Sequence, residues 1–259
     1  MTNTSRLWKV LAALMVVSFG ILLYFGREIY VAAPPIPTAV KTTTGETLYT
    51  REQYDVGRQV WQRVGGHQMG SIWGHGSYVA PDWSADWLHR EATALLELWA
   101  QRDTGKAYAD LDAVQQAGLQ ARLQQTMREN TYDPATGVIT VDADRAQAIR
   151  QVNDHYMRLF GPDVELNTLR AQYAIQQNPI PDVEQRQAMM AFFFWTSWSA
   201  STNRPDNAIT YTSNWPSESL GGNTPTGSTV VWSVLSFVAI LAGVGALVWH
   251  YGARRRADR

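Results

Sequence analysis

Two long apolar runs near the ends of the chain constrain its fold more than any other feature. Val10 to Gly26 is almost continuously apolar, with Lys9 and Arg27 at its edges, and Val230 to Tyr251 contains no charged residue. A transmembrane helix needs about 20 predominantly apolar residues, with a lower limit near 17. Both runs are therefore predicted to cross a membrane. This interpretation divides the chain into 1–9, a first span 10–30, a central domain 31–227, a second span 228–251 and a tail 252–259.

The basic residues around the two runs predict their orientation. Arg6 and Lys9 precede the first run, and four arginines follow the second, at positions 254, 255, 256 and 259. By the positive-inside rule both termini are cytoplasmic, so the central domain is extracytoplasmic and, in a bacterium, lies on the periplasmic side of the inner membrane. A cleaved signal peptide is the alternative for the first run. Pro34 directly follows the candidate cleavage sequence Val31-Ala32-Ala33 and argues against cleavage.

Composition excludes several kinds of site. The 259 residues carry a formal net charge of -1 and include no cysteine. Disulfides, thiolate zinc sites, iron–sulfur clusters and the covalent attachment of c-type haem through a CxxCH motif are therefore excluded. The near-neutral charge gives no indication of a nucleic-acid partner.

The central domain is expected to be mainly α-helical with little β-structure. Apolar residues at helical spacing predict helices over 85–101, 111–128, 142–159 and 182–200. Ser84 is the expected N-cap of the first of these helices, and Pro181 is placed in the first turn of the last. One short strand is expected, at Val138 to Val141.

Residues 57 to 91 form the most unusual segment of the domain. It contains four tryptophans and six glycines, five of them between positions 65 and 76, and so much glycine is unfavourable in an ordinary helix. A disordered linker would not carry so many indole rings. The segment is therefore predicted to be a compact irregular loop packed by its aromatic residues, and loops of this kind often carry function.

Few side chains suggest chemistry. His67, His75 and His89 could converge, but bonding to backbone groups within a tight loop is the favoured interpretation, and His250 is expected at the membrane interface. Asp82, Asp86 and Glu91 are expected to be solvated or to cap helices, with Arg90 as their counter-ion. The run Phe192 to Trp198 could be a buried helix face, a surface resting on the membrane or a contact with another subunit.

Many short motifs along the chain resemble one family. The most specific is Gly57-x-x-Val60-Trp61 followed by the segment Gly74 to Trp83, GHGSYVAPDW. Others occur in the same order on both sides of it: Gly26 to Tyr30, Ala33 to Pro37, Trp87 to Glu91, Phe194 to Thr196, Ser201 to Pro205 and Asn214 to Pro216. In this order they resemble the N-terminal region of the quinol-dependent nitric oxide reductases of the haem–copper oxidase superfamily.

The resemblance implies a cytochrome c-like extracytoplasmic domain fused to a many-helix catalytic domain that reduces two NO to N2O and water. It aligns Gly66 to Gly70 with the haem-attachment site of related enzymes, but this chain has neither the cysteines nor the ligand histidine there. A domain without haem is therefore implied, with electrons supplied by quinol. The resemblance also aligns Tyr78 with a tyrosine that helps to bind calcium, whereas haem b and non-haem iron belong to the catalytic part.

Two further interpretations remain open from the sequence. The catalytic part is expected either on a separate polypeptide or beyond Arg259 in a longer frame, and no catalytic residue is assigned to this chain. A two-span sensor or adaptor with a periplasmic ligand-binding domain is the alternative in another functional class. A carrier of non-covalent haem, held by His67 or His75, is the third interpretation.

Overall fold

A computed structural model of the chain describes residues 4–77 and 79–257. The protein is mostly helical with a small sheet, and a long helix at each end flanks the central domain. The eight helices of the described residues are α1 Thr4–Val31, α2 Arg51–Arg63, α3 Trp83–Thr104, α4 Ala113–Arg128, α5 Ala143–Leu159, α6 Asn167–Gln172, α7 Val183–Ser201 and α8 Gly227–Ala257. The strands are β1 Ala39–Thr42, β2 Thr47–Thr50, β3 Tyr132–Asp133 and β4 Val138–Val141.

Helices α1 and α8 are the two candidate membrane spans. Their apolar parts, Trp8–Val31 and Gly227–Arg256, have mean hydropathies of 2.0 and 2.3, and neither is buried against the rest of the chain. At about 1.5 Å per residue, each helix is longer than the hydrocarbon thickness of a bilayer of about 30 Å. The chain thus has the form expected of a membrane protein with a central domain between two spans.

The sheet is larger than the single strand expected. Its strand order is β2-β1-β4-β3, with β1 antiparallel to β2 and parallel to β4, and β3 antiparallel to β4. The prediction of β4 at 138–141 was correct in its bounds, whereas β1, β2 and β3 were missed. These strands have four residues or fewer, which is too short for a clear alternating pattern.

The prediction of an irregular loop from residue 57 was wrong at its start. Residues 51–63 form α2, whose N-cap Thr50 accepts a hydrogen bond from Gln53 N in a capping box. Gly57 lies where α2 crosses α7, and a Cβ atom at this position would be 2.0 Å from the carbonyl oxygen of Ala188. The glycine is therefore required for the close approach of two helices and does not mark a loop.

Aspartates are the N-caps of α3, α4, α5 and α7. Asp82 caps α3 by accepting from Ala85 N, because the hydroxyl of Ser84 is used by another backbone amide. Asp182 caps α7, so Pro181 precedes the cap instead of lying in the first turn. Asp112 and Asp142 cap α4 and α5 in the same way. A short carboxylate at this position satisfies amide groups that the helix leaves unpaired.

The aromatic run of α7 lies in the core of the domain. Phe193, Phe194 and Trp198 are fully buried, and Trp195 is 7% exposed. The ring of Phe193 stacks on that of Trp83 of α3, at 5.6 Å between centroids, and meets Tyr156 of α5 edge-on at 5.9 Å. The structure therefore supports the buried-helix interpretation for most of this run, while Trp195 also lines an open cavity described below.

Candidate functional site

Asp82 holds the base of the glycine-rich loop 64–82. Its Oδ2 atom accepts hydrogen bonds from Ser71 Oγ at 2.7 Å and from Gly74 N, while its Oδ1 atom caps α3. The backbone closes the same loop, because Trp83 N donates to Ser71 O at 2.9 Å. One carboxylate thus fixes both the loop and the first turn of the helix that follows it.

Trp73 connects this loop to the core helix α7. Its backbone has a φ of 55°, a left-handed conformation that is uncommon for a bulky residue. Its amide donates to Ser84 Oγ at 3.1 Å and its indole donates to Thr196 O at 2.9 Å. The Trp195 indole in turn donates to Pro35 O at 2.9 Å, so α7 also holds the segment that leaves α1.

An open cavity of about 900 Å³ lies between this loop and the end of α1. Its walls are mainly apolar and aromatic, with Glu28, His75 and Arg204 as the charged or titratable groups. They comprise Phe25, Glu28, Ile29, Ala32, Ala33, Pro34, Ile36, Trp73, His75, Trp195, Arg204, Tyr211, Thr212 and Trp215. A large apolar cavity beside a candidate membrane span has the properties of a binding surface for an apolar partner.

Gly74 allows Trp215 to form part of the cavity wall. A Cβ atom on Gly74 would be 1.9 Å from the indole nitrogen of Trp215, so the two segments can pack together only at a glycine. The segment around Trp215 is held by Arg128, which donates to Asn214 Oδ1 at 3.1 Å, and by Arg204, which donates to Tyr211 O at 2.9 Å. The cavity therefore combines a membrane-proximal helix end with two anchored loops.

We expect Gly74→Ala to displace Trp215 and to destabilise the domain more than Gly76→Ala does. Both glycines have positive φ angles, 69° and 91°, so both substitutions add backbone strain. Only Gly74 has a neighbour within 4 Å of its added Cβ atom. The difference in free energy of unfolding should be about 1 to 3 kcal/mol. Urea unfolding followed by circular dichroism measures it, and equal losses in the two variants would contradict the packing explanation.

Comparison with known proteins identifies the family of this domain. Residues 37–217 match the family described as the NorB cytochrome c-like domain of nitric oxide reductase. The match begins just after Pro35, whose carbonyl accepts from the Trp195 indole, and ends just after Trp215. It therefore includes the whole glycine-rich loop. The chain belongs to the NorB family of nitric oxide reductases. Among curated proteins, no significant match is found.

The cytochrome c-like family implies a haem group, but the residues of this chain do not fit a covalently attached haem. Thioether attachment requires cysteine, and the sequence contains none. No group of three or more His, Cys, Asp or Glu side chains that could hold a metal ion occurs among the described residues. Tyr78, the predicted calcium ligand, lies outside the described residues.

The histidines are placed differently from the prediction. The rings of His67 and His75 lie 5.7 Å apart between centroids, and neither makes a hydrogen bond with a described residue. His89 does not join them, because its Nδ1 atom pairs with Glu218 Oε1 at 3.1 Å. His250 lies near the end of α8, and its ring contacts that of Tyr251. Bonding to backbone groups in the loop is thus not observed for His67, His75 or His89 among the described residues.

The carboxylates divide into two kinds. Asp82 is a helix cap and Asp86 pairs with Arg90 at 2.7 Å, as predicted. The Tyr156 hydroxyl donates to the same Asp86, and burial together with this negative charge raises the pKa of Tyr156 well above its usual range.

Glu91 differs from the prediction of a solvated or capping residue, because it is fully buried. Its carboxylate accepts from Arg145 Nε at 2.7 Å and from the Trp87 indole at 3.0 Å. Arg145 lies on a helix more than fifty positions away, so neighbouring residues in the sequence gave no signal of this pair. Trp215 was likewise missed as part of the cavity, although the motif that contains it had been noted.

Proposed function

We propose that this chain is the front part of a quinol-dependent nitric oxide reductase, in which two NO, two electrons and two protons give N2O and water. The observation that carries the proposal is the family match over residues 37–217 in a chain without cysteine. In a cytochrome c-like domain that cannot attach haem covalently, the usual electron entry is missing. Quinol in the membrane then supplies the electrons directly to the catalytic part.

The role of this chain is to bind and cover that catalytic part. The cavity beside α1 gives an apolar surface at the membrane end of the domain, where Trp215 is 46% exposed. No residue in the apolar window of either candidate span is buried within the described chain, so both spans can pack against the helices of the catalytic part. Haem b and non-haem iron belong to that partner, and we assign no catalytic residue here.

The proposal also includes the orientation of the chain in the membrane and a calcium site. The basic residues outside the spans support an orientation with both termini in the cytoplasm and the central domain in the periplasm of a bacterium. Tyr78 lies in the sequence between Gly76 and Asp82, and its oxygen would contribute to a calcium site formed against the catalytic part. Calcium prefers hard oxygen ligands, which a tyrosine or a backbone carbonyl on a fixed loop supplies.

The proposal is tested by measuring NO consumption in membranes that contain the chain together with its cognate catalytic part. We expect consumption with a reduced quinol analogue, none with reduced cytochrome c, and co-purification of the two parts. The catalytic part expressed alone is the control for the contribution of this chain. Absence of a complex would contradict the proposal and favour the sensor or adaptor interpretation, whereas activity with cytochrome c alone would contradict the use of quinol.

A further inference from the structure

Two exposed imidazoles meet beside the cavity, and the proposed function uses neither of them. His67 lies on the single helical turn Gly66–Gln68, and His75 lies in the glycine-rich loop that follows. Their ring centroids are 5.7 Å apart and their planes are inclined by 78°. Neutral imidazole is the commonest protein ligand of late first-row transition metals.

The His67 ring and the backbone beside His75 are both fixed by the surrounding structure. The His67 ring contacts the ring of Trp61 edge-on, at 5.0 Å between centroids, and Trp61 is 7% exposed on α2. His75 directly follows Gly74, whose amide donates to Asp82 and which lies against the indole of Trp215. Binding of one ion by both rings would therefore mainly restrict the side chain of His75, and this small entropic cost favours affinity.

The separation of the two rings is compatible with one shared metal ion. With metal–nitrogen bonds of about 2.0 to 2.1 Å, two imidazoles at a tetrahedral angle have centroids about 5 Å apart, and two in line have centroids about 6.3 Å apart. The observed 5.7 Å lies between these two values. The rings pack edge to face at this separation, so a porphyrin plane would have to push them apart in order to enter between them, whereas a single ion occupies far less space.

We propose that His67 and His75 bind one divalent transition-metal ion of the Cu²⁺, Ni²⁺ or Zn²⁺ class at the edge of the cavity. No third His, Cys, Asp or Glu ligand completes a cluster within the described ranges, so water fills the remaining positions. The site does not depend on the proposed function.

Titration with Cu²⁺ tests this site, because Cu²⁺ binds most tightly among these ions. The full chain in detergent, purified through a tag without histidine, is studied by calorimetry and by electron paramagnetic resonance. We expect one site whose affinity falls at least about tenfold in His67→Gln and in His75→Gln, with loss of one nitrogen coupling in each variant. His89→Gln is the matched control, since His89 is exposed and does not belong to the pair formed by the His67 and His75 rings.

Three outcomes would overturn the proposal. One is an unchanged Cu²⁺ affinity in His67→Gln or in His75→Gln. Another is a loss of Cu²⁺ affinity in His89→Gln as large as in those two variants. The third is a Soret band with added haemin that requires both histidines, in a chain that shows no Cu²⁺ site. Circular dichroism of each variant establishes that a loss of affinity does not come from unfolding.

Discussion

Gly57→Ala is expected to destabilise the domain by about 3 kcal/mol or more, since the added atom has no space between α2 and α7. Its Cβ would lie 2.0 Å from the oxygen and 2.5 Å from the carbon of the Ala188 carbonyl, and 2.9 Å from the Cα of Met189. These are backbone atoms of a buried helix, so no side chain can rotate away. The helices would have to separate along the most extensive contact in the domain. Urea unfolding of the full chain in detergent measures the loss.

Gly118→Ala provides the matched control. Gly118 lies within α4, is exposed, and has no atom within 4 Å of an added Cβ. Alanine is favoured over glycine in a helix interior, so this variant should be more stable by about 0.5 to 1 kcal/mol. The two substitutions are chemically identical and differ only in packing. A gain in stability for Gly57→Ala would show that α2 and α7 are farther apart than described.

Glu91→Gln is expected to cost about 3 to 5 kcal/mol of unfolding free energy, because it leaves the charge of Arg145 buried without its partner. The side chains of Glu91 and Arg145 are only 1% and 3% exposed, and their atoms lie 2.7 Å apart. Glutamine has nearly the same shape as glutamate but only one acceptor oxygen, whereas Glu91 accepts from Arg145 with one oxygen and from the Trp87 indole with the other. The substitution therefore removes the charge together with one of these two hydrogen bonds.

The double variant Glu91→Leu with Arg145→Met tests the same pair in the opposite direction. Replacing both members by apolar side chains leaves no unpaired charge, and stability should recover to within about 1 to 2 kcal/mol of the parent. The midpoints of urea unfolding give both values. If Glu91→Gln lost less than about 1 kcal/mol, water would have to reach Arg145, contrary to its burial.

The helices could be predicted from the sequence because their signals are local. Apolar residues at a spacing of three and four positions place α3, α4, α5 and α7 within a few residues of their observed bounds. The caps were less accurate, because Ser84 and Asp82 are both good N-cap residues. Only the structure shows that the Ser84 hydroxyl is used by Trp73.

The errors concern residues whose role depends on distant parts of the chain. Gly57 was interpreted as part of a loop. A glycine that ends a helix and a glycine within a helix that allows a second helix to pack closely cannot be distinguished from the sequence alone. Glu91 was expected in solvent because its partner, Arg145, is remote. β1 was missed because its four residues give little signal alone and its parallel partner β4 lies about a hundred positions later, whereas the β-branched residues of β4 were sufficient to predict that strand. The order of motifs, in contrast, was sufficient to indicate the family, since it requires no knowledge of contacts.

The parallel pairing of β1 with β4 has a consequence for biosynthesis. β1 follows α1 closely and is made early, yet its neighbour along the whole strand is β4, and Thr38 donates to the carbonyl of Gly137, 99 positions later. Contacts of such long range form slowly and late. During translation, the edge of β1 that pairs with β4 therefore stays unpaired until β4 has emerged from the ribosome. The surface of α2 that packs against α7 stays uncovered for longer, because α7 is made later than β4. The domain would mature as one unit shortly before the second apolar segment leaves the ribosome, and chaperones that protect exposed strand edges would act during that interval.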